Sequence, residues 1–443
     1  MGEDGLAADL RSDDSLPRKM LRYALAGVGP IGVAGAQFLM SVQLLHSLPP
    51  LAFGAFSFLL VASQFSTGIW TALFFAPMPI LLSTADTDLR AARQRSLMAA
   101  NLAGALAAGP VFAAVAFVFD VPWPAALAFG AFGAANLMRW FGRAYAYAYA
   151  AGAAWRTMAS DVLFALALLA GVAIALLQPS VSLVTPYSAL LAAAVLGLAP
   201  FGGAFLRRQF LEIAPRDLRG YGTIWLGHAR WSLSGVLTTE ATGNAHAYIV
   251  TLLRGANAFA PLAASALLMR PVSVASNALT DFERPQLARL LAAGRFQEAD
   301  RAILFFRLML LMAWVGTVGL AALLMRFAPQ ALFPPQYDRP QLALGAWLWL
   351  AVAFVRLLRT PESVLLQASG QFRALAHASL ISCGVSVAAV TVLLVTAGPV
   401  WSIVGVLAGE IVFAVWTRRQ KTQWMATQLA LGSGHSLPPP APR

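Results

Sequence analysis

Arg22-Tyr-Ala-Leu-Ala-Gly-Val28 returns as Arg230-Trp-Ser-Leu-Ser-Gly-Val236, an ungapped match at a shift of 208 residues. At the same shift Gly35 meets Gly243 and Leu44-Leu45 meets Leu252-Leu253. Ala52 likewise meets Ala260, Ser57 meets Ser265, and Leu59-Leu60 meets Leu267-Leu268. Apolar coincidences are cheap in a chain that is 59% hydrophobic, so the Arg-aromatic-x-Leu-x-Gly-Val core carries the argument. A second echo agrees. Arg139 and Arg156 are 17 residues apart, as are Arg356 and Arg373, and each pair brackets the end of the fourth apolar run in its half. The chain reads as two copies of one unit in the same orientation.

Each unit is a membrane unit. Of 443 residues only 11% are charged, where soluble domains carry roughly a quarter. A span needs roughly 20 apolar residues. Such runs lie near 23–46, 52–82, 96–119, 123–145, 157–178, 184–206, 224–253, 256–281, 302–327, 341–368, 373–397 and 399–417. The expectation is an all-α polytopic membrane protein of about twelve transmembrane helices in two six-helix lobes related by a parallel repeat. Its parts are a cytoplasmic tail (1–22), a first lobe (23–206), a cytoplasmic linker (207–223), a second lobe (224–417) and a cytoplasmic tail (418–443). The polar, acidic first 20 residues lack a cleavable signal, so the first span is expected to act as the uncleaved insertion signal. The stretch from Asp281 to Asp300 mixes Leu287, Leu290, Leu291 and Phe296 with Arg289, Arg295 and Glu298 at helical spacing, which predicts an amphipathic helix on the cytoplasmic surface. The proline-rich end, 432–443, is expected to be disordered.

The net charge of +12 does not point to nucleic acid, because the basic residues alternate with the apolar runs instead of clustering on one exposed face. Of the 31 Lys and Arg, 25 fall in alternate gaps and three (Arg254, Arg326 and Arg339) in the others. Arg230, Arg270 and Arg307 lie inside runs. Positive charge collects on the cytoplasmic side, which predicts both termini in the cytoplasm. The single cysteine, Cys383, excludes an intrachain disulfide. Isolated His46, His246 and His377 offer no metal-ligand spacing, and no Walker A motif is present. Neither a metal nor a cofactor is expected.

Ionisable residues inside spans are costly and are functional candidates by default. Glu240 and Arg270 lie midway along the seventh and eighth runs, at similar depth, where they are expected to pair or to line a polar cavity. Arg139 and Arg143 are one helical turn apart, as are Arg356 and Arg359, so each pair shares a helix face. Guanidinium forks match phosphate oxygens, and two pairs on repeat-equivalent helices form a candidate pyrophosphate clamp. The bland alternative is that they snorkel to lipid headgroups and set topology. Asp161 and Glu410 are candidates for ion coupling or a cavity ion pair, with a helix cap or local pair as the alternative. Glu362, three residues after Arg359, is a further coupling candidate, with a simple pair to Arg359 as the alternative.

Four features resemble the polysaccharide flippase family within the multidrug/oligosaccharidyl-lipid/polysaccharide exporter superfamily. They are Leu51-Ala-Phe-Gly-Ala-Phe-Ser-Phe58, the stretch from Pro271 to Arg295 with Leu287-Ala-Arg-Leu-Leu-Ala-Ala-Gly294, Leu365-Leu-Gln-Ala-Ser-Gly-Gln-Phe-Arg373, and the six-plus-six layout. The resemblance implies a non-enzymatic transporter in the bacterial inner membrane. Its substrate would be a lipid-linked oligosaccharide on undecaprenyl pyrophosphate, flipped by alternating access among membrane lipids and alongside other polysaccharide biosynthesis proteins. Arg139, Arg143, Arg270, Arg356 and Arg359 are the natural counterparts of a cationic cavity, and only Arg139 and Arg356 align through the repeat. A cation-coupled multidrug exporter and a membrane-embedded polymerase or ligase are the alternatives. The first needs buried carboxylates. The second needs a sizeable outer loop, and the longest such gap here holds only about a dozen residues.

Overall fold

The computed structural model describes residues 16–75, 77–82, 86–149 and 154–432; both predicted tails therefore lie partly outside the described residues. Among those residues the chain is almost wholly helical and contains no strand. The long helices are α1 (Leu16–Ser47), α2 (Pro50–Trp70), α3 (Thr87–Val118), α4 (Trp123–Tyr149), α5 (Ala154–Leu177) and α6 (Val184–Leu196) in the first half. In the second half the helix Arg230–Ala266 is broken at Gly255, whose φ of 82° and ψ of 168° are not helical. Its two parts are α7 (230–254) and α8, which runs on through a 3-10 turn at Leu267–Met269 into Arg270–Ala292. Then follow α9 (Phe296–Phe327), α10 (Arg339–Ala368), α11 (Phe372–Thr396) and α12 (Ser402–Gly432). Among the described residues eight helical stretches satisfy a strict requirement of length and hydropathy, and one of these, Ser232–Asn277, is α7 and α8 joined across Gly255. Gly255 tolerates this left-handed conformation because it lacks a Cβ.

Each expected run is largely helical, and several helices outlast their runs, α3 and α12 among them. α3 starts at Thr87, where Asp86 caps it by accepting from the Asp88 and Leu89 amides, both at 3.0 Å. Such a cap satisfies amides that have no partner within the helix. α12 continues to Gly432, where Lys421 Nζ meets Asp300 Oδ1 of α9 at 2.5 Å. The separate surface helix expected over Asp281–Asp300 does not form. That stretch is the last turns of α8, a reversal at Gly294 (φ 69°), and the first turns of α9. Leu287, Ala299 and Ile303 form one buried cluster with Leu365 of α10. The amphipathic period was real, and its apolar face packs against protein instead of lipid.

The two halves repeat their internal packing. α1 lies on α5, α3 on α4, α4 on α6 and α5 on α6; correspondingly, α7 lies on α11, α9 on α10, α10 on α12 and α11 on α12. Between the halves, α2 packs along α7 and the start of α8, while α1 meets the middle of α8. The halves are sealed at the charge-poor end, which carries the 46–51 and 328–338 connections. There Leu44, Leu45, Leu48, Phe53 and Phe56 share one core with Ala260, Ala264, Leu267, Phe333 and Tyr337. Two polar clasps span the halves: Gln336 Nε2 donates to the Leu45 carbonyl at 2.9 Å, and His46 Nε2 lies 3.1 Å from the Gln330 carbonyl. Helix backbones also meet directly, because a Cβ on Gly54 would overlap the Ala256 carbonyl oxygen. Small residues permit this close approach in membrane proteins. Gln336→Ala removes one clasp and is expected to weaken the seal by about 1 kcal/mol. Spin labels at Ser47 and Gln330 then show a larger fraction of long distances than in the parent.

Candidate functional site

Each half holds a charged trio between its helices. In the first, α4 places Arg139 and Arg143 one turn apart, and both donate to Asp161 Oδ1 of α5. Arg139 Nε also donates to Ser160 Oγ at 3.0 Å, and Ser160 Oγ donates to the Gly197 carbonyl at 2.6 Å, just past the end of α6. The Arg139 guanidinium lies 4.4 Å from the centre of the Phe164 ring, and that of Arg143 lies 4.8 Å from Trp140. Guanidinium over an aromatic face is attractive. Two glycines close the trio. A Cβ on Gly29 of α1 would stand 2.9 Å from Asp161 Oδ2, and one on Gly197 would stand 2.7 Å from Arg139 Nε.

In the second half, α10 places Arg356 and Arg359 on one face, and α12 supplies Glu410. Arg356 Nε donates to Oε1 at 2.7 Å and Arg359 Nε to Oε2 at 2.6 Å. Arg359 lies 4.5 Å over Phe413, and Arg356 Nη2 reaches the Gly243 carbonyl of α7 at 3.5 Å. Here too a serine of the fifth helix ties to the sixth: Ser382 Oγ of α11 donates to the Gly409 carbonyl at 2.8 Å. The serine-to-glycine bond is thus common to both halves. The carboxylate is not. It follows the serine in the first half (Asp161) and the glycine in the second (Glu410). Both carboxylates are 1% exposed, whereas the side chains of Arg356 and Arg359 keep 29% and 19% of their surface.

The remaining candidates separate. Glu240 and Arg270 do not pair. Glu240 accepts from Asn244 Nδ2 at 2.5 Å, one turn along α7, and faces Gly68 of α2. Arg270 opens the part of α8 that meets α1, is half-buried, and makes no ion pair among the described residues. Position midway along neighbouring runs does not make them partners, because Glu240 is turned toward α2. Glu362 does not pair with Arg359 either. It takes Arg307 of α9, because Arg359 is already directed at Glu410. At the charge-rich end of α8, beyond the apolar stretch ending at Asn277, burial pushes the Glu283 carboxyl up to about 7. That end therefore carries less negative charge near neutral pH than its sequence suggests. Sequence reading missed Ser160, Ser382, Gly197 and Gly409. The available signal was the adjacency of Ser160 to Asp161 and of Gly409 to Glu410.

No family model matches the chain, and no curated protein matches it. Its fold is similar to the inward-facing conformation of a multidrug resistance MATE family transporter of the MOP superfamily, at 14% identity over 92% of this chain and 99% of that one, with a TM-score of 0.66. The outward-facing conformation of a transporter so described aligns at 16% identity over 92% and 96%, with a TM-score of 0.55. A MOP superfamily transporter from Pyrococcus furiosus, whose binding pocket is described as having reverse polarity that suggests a different function, aligns at 15% identity over 92% and 96%, with a TM-score of 0.59. The chain has a MATE-like, two-lobed fold.

Proposed function

We propose that this two-lobed transporter fold flips an anionic lipid-linked oligosaccharide, carried on undecaprenyl pyrophosphate, from the inner to the outer leaflet of a bacterial inner membrane. One observation carries the reading. In each lobe two arginines meet a single carboxylate, and that carboxylate is buried beneath them. Among the described residues each trio keeps one positive charge in excess, and the accessible part of the second trio is arginine side chain. Such a surface neutralises phosphate charge that hydrocarbon rejects, and it repels a cationic drug. The sequence resemblance to polysaccharide flippases supports the same substrate. The neighbour whose binding pocket is described as having reverse polarity is in keeping with this, because its polarity is said to suggest a different function on a similar fold.

The proposal includes orientation and state. The charge-rich end faces the cytoplasm, in keeping with the positive-inside bias, and the sealed charge-poor end faces outward. The better agreement with an inward-facing structure than with an outward-facing one supports a cytoplasm-open arrangement. Deleting the gene tests the function. The expected result is a complete lipid-linked repeat unit held in the inner leaflet, relieved by the wild-type gene and not by Arg356→Gln/Arg359→Gln. Unpolymerised units outside the cell would instead mark a polymerase.

A second reading, a cation-coupled multidrug exporter, rests on Glu240. This carboxylate stands half-buried where α7 meets α2 and, among the described residues, pairs with no arginine. If the deletion strain becomes drug-sensitive with normal lipid-linked intermediates, and Glu240→Gln reproduces this, the multidrug reading replaces the first.

A further inference from the structure

The two trios are built alike but are not equally open. In the first lobe Arg139 exposes 3% of its side chain and Arg143 13%. Arg139 is covered by Phe164, Gly197 and Ser160, while Asp161 is covered by Gly29. The buried Arg143 Nε has no hydrogen-bond partner among the described residues. In the second lobe both Glu410 oxygens are taken by the Nε edges of Arg356 and Arg359. Among the described residues no acceptor meets Nη1 of either arginine, and neither atom is among the buried unpaired ones. A carboxylate that holds two guanidiniums by one edge leaves their other edges oriented and free. Orienting them in advance lowers the entropic cost of binding.

We infer that the pyrophosphate is bound from one side: Arg356 and Arg359, oriented by Glu410, form its subsite in the second lobe, and the first-lobe trio is a closed anchor that never meets substrate. This rests on the substrate class proposed above. It replaces a symmetric four-arginine clamp with one pair that binds and one pair that builds. Glu410 is then a positioning residue, since it aims the guanidiniums without touching the ligand.

The test uses the full-length protein in detergent, with three probes: undecaprenyl pyrophosphate, undecaprenol and inorganic pyrophosphate. Binding is read by native mass spectrometry titration, alongside a melting curve for every variant. Wild type is expected to bind undecaprenyl pyrophosphate and not undecaprenol. Arg356→Gln and Arg359→Gln, made singly so that Glu410 keeps one partner, are expected to weaken that binding about tenfold or more, the scale of a lost hydrogen bond to a charged group. Arg356→Lys, which keeps the charge and loses the fork, is expected to fall between. Arg143→Gln is expected to lower the melting temperature and leave binding within about twofold.

Equal loss of binding in Arg143→Gln and Arg356→Gln overturns the one-sided subsite while leaving the substrate class standing. Failure of wild type to bind undecaprenyl pyrophosphate at all overturns both. Inorganic pyrophosphate binding as tightly as the lipid, and lost in the same variants, supports the subsite and assigns it to a free anion.

Discussion

Asp161→Ala is expected to remove most of the folded protein from the membrane. Asp161 is the only acid that Arg139 and Arg143 meet among the described residues, and all three lie between α4 and α5. Arg139 cannot extend to a headgroup, because Phe164 and Gly197 pack against its side chain. Removing one partner of a buried ion pair costs roughly 3–5 kcal/mol, a large share of the roughly 5–15 kcal/mol that holds a typical fold together. Asp161→Asn keeps an acceptor and is expected to cost less. Asp161→Ala with Arg139→Met, which also removes a stranded charge, is expected to recover part of the loss. The measurements are the yield of monodisperse detergent-solubilised protein and its melting temperature. An Asp161→Ala protein that melts with the wild type would refute the anchor.

Gly54→Ala is expected to abolish transport without unfolding either lobe. A Cβ there overlaps a backbone oxygen, that of Ala256, and a backbone atom cannot rotate away as a side-chain tip can. The break at Gly255 brings this carbonyl to α2 in the first place. Relief therefore requires the lobes to part at the charge-poor end, at the expense of the shared core of Leu45, Phe53, Phe56, Ala260 and Phe333. Labels at Ser47 and Gln330 are expected to report a longer separation in nearly all molecules. Gly35→Ala is the control, since a Cβ at Gly35 meets nothing within 4 Å. Normal flux and an unchanged label distance in Gly54→Ala would show that transport does not need this seal.

The sequence displays what depends on one helix at a time. Apolar length gives the helices, alternating charge gives their order, and the Arg22–Val28 echo gives the repeat. The spacing of Arg139 and Arg143, and of Arg356 and Arg359, gives two shared faces. What depends on the direction in which a helix is turned is not displayed. Glu240 and Arg270 both lie midway along their runs, yet Glu240 faces α2 and the two do not pair. Glu362 has an arginine three residues away, and the partner it takes comes from α9 instead. The acids that hold the arginine pairs were visible as candidates, but their partners were not, because the repeat itself misleads: one acid sits on the fifth helix of its half and the other on the sixth. The stretch after Asp281 has helical period in sequence, but whether it lies on lipid or continues α8 is decided by Leu287 packing against α10.

That displaced acid has a consequence for how the two halves diverged. Both retain the serine-to-glycine bond between fifth and sixth helices, and in each half the acid is chain neighbour to one end of that bond. Cys383 stands beside Ser382, where the first half has Asp161; Leu198 stands beside Gly197, where the second has Glu410. The negative charge is thus a movable part, transferable across one helix contact while the positive pair stays in place. Two lobes that pack alike can differ in the donor of that charge, and with it in how much of the arginine pair is left uncovered, without a change in the shape in which their helices pack.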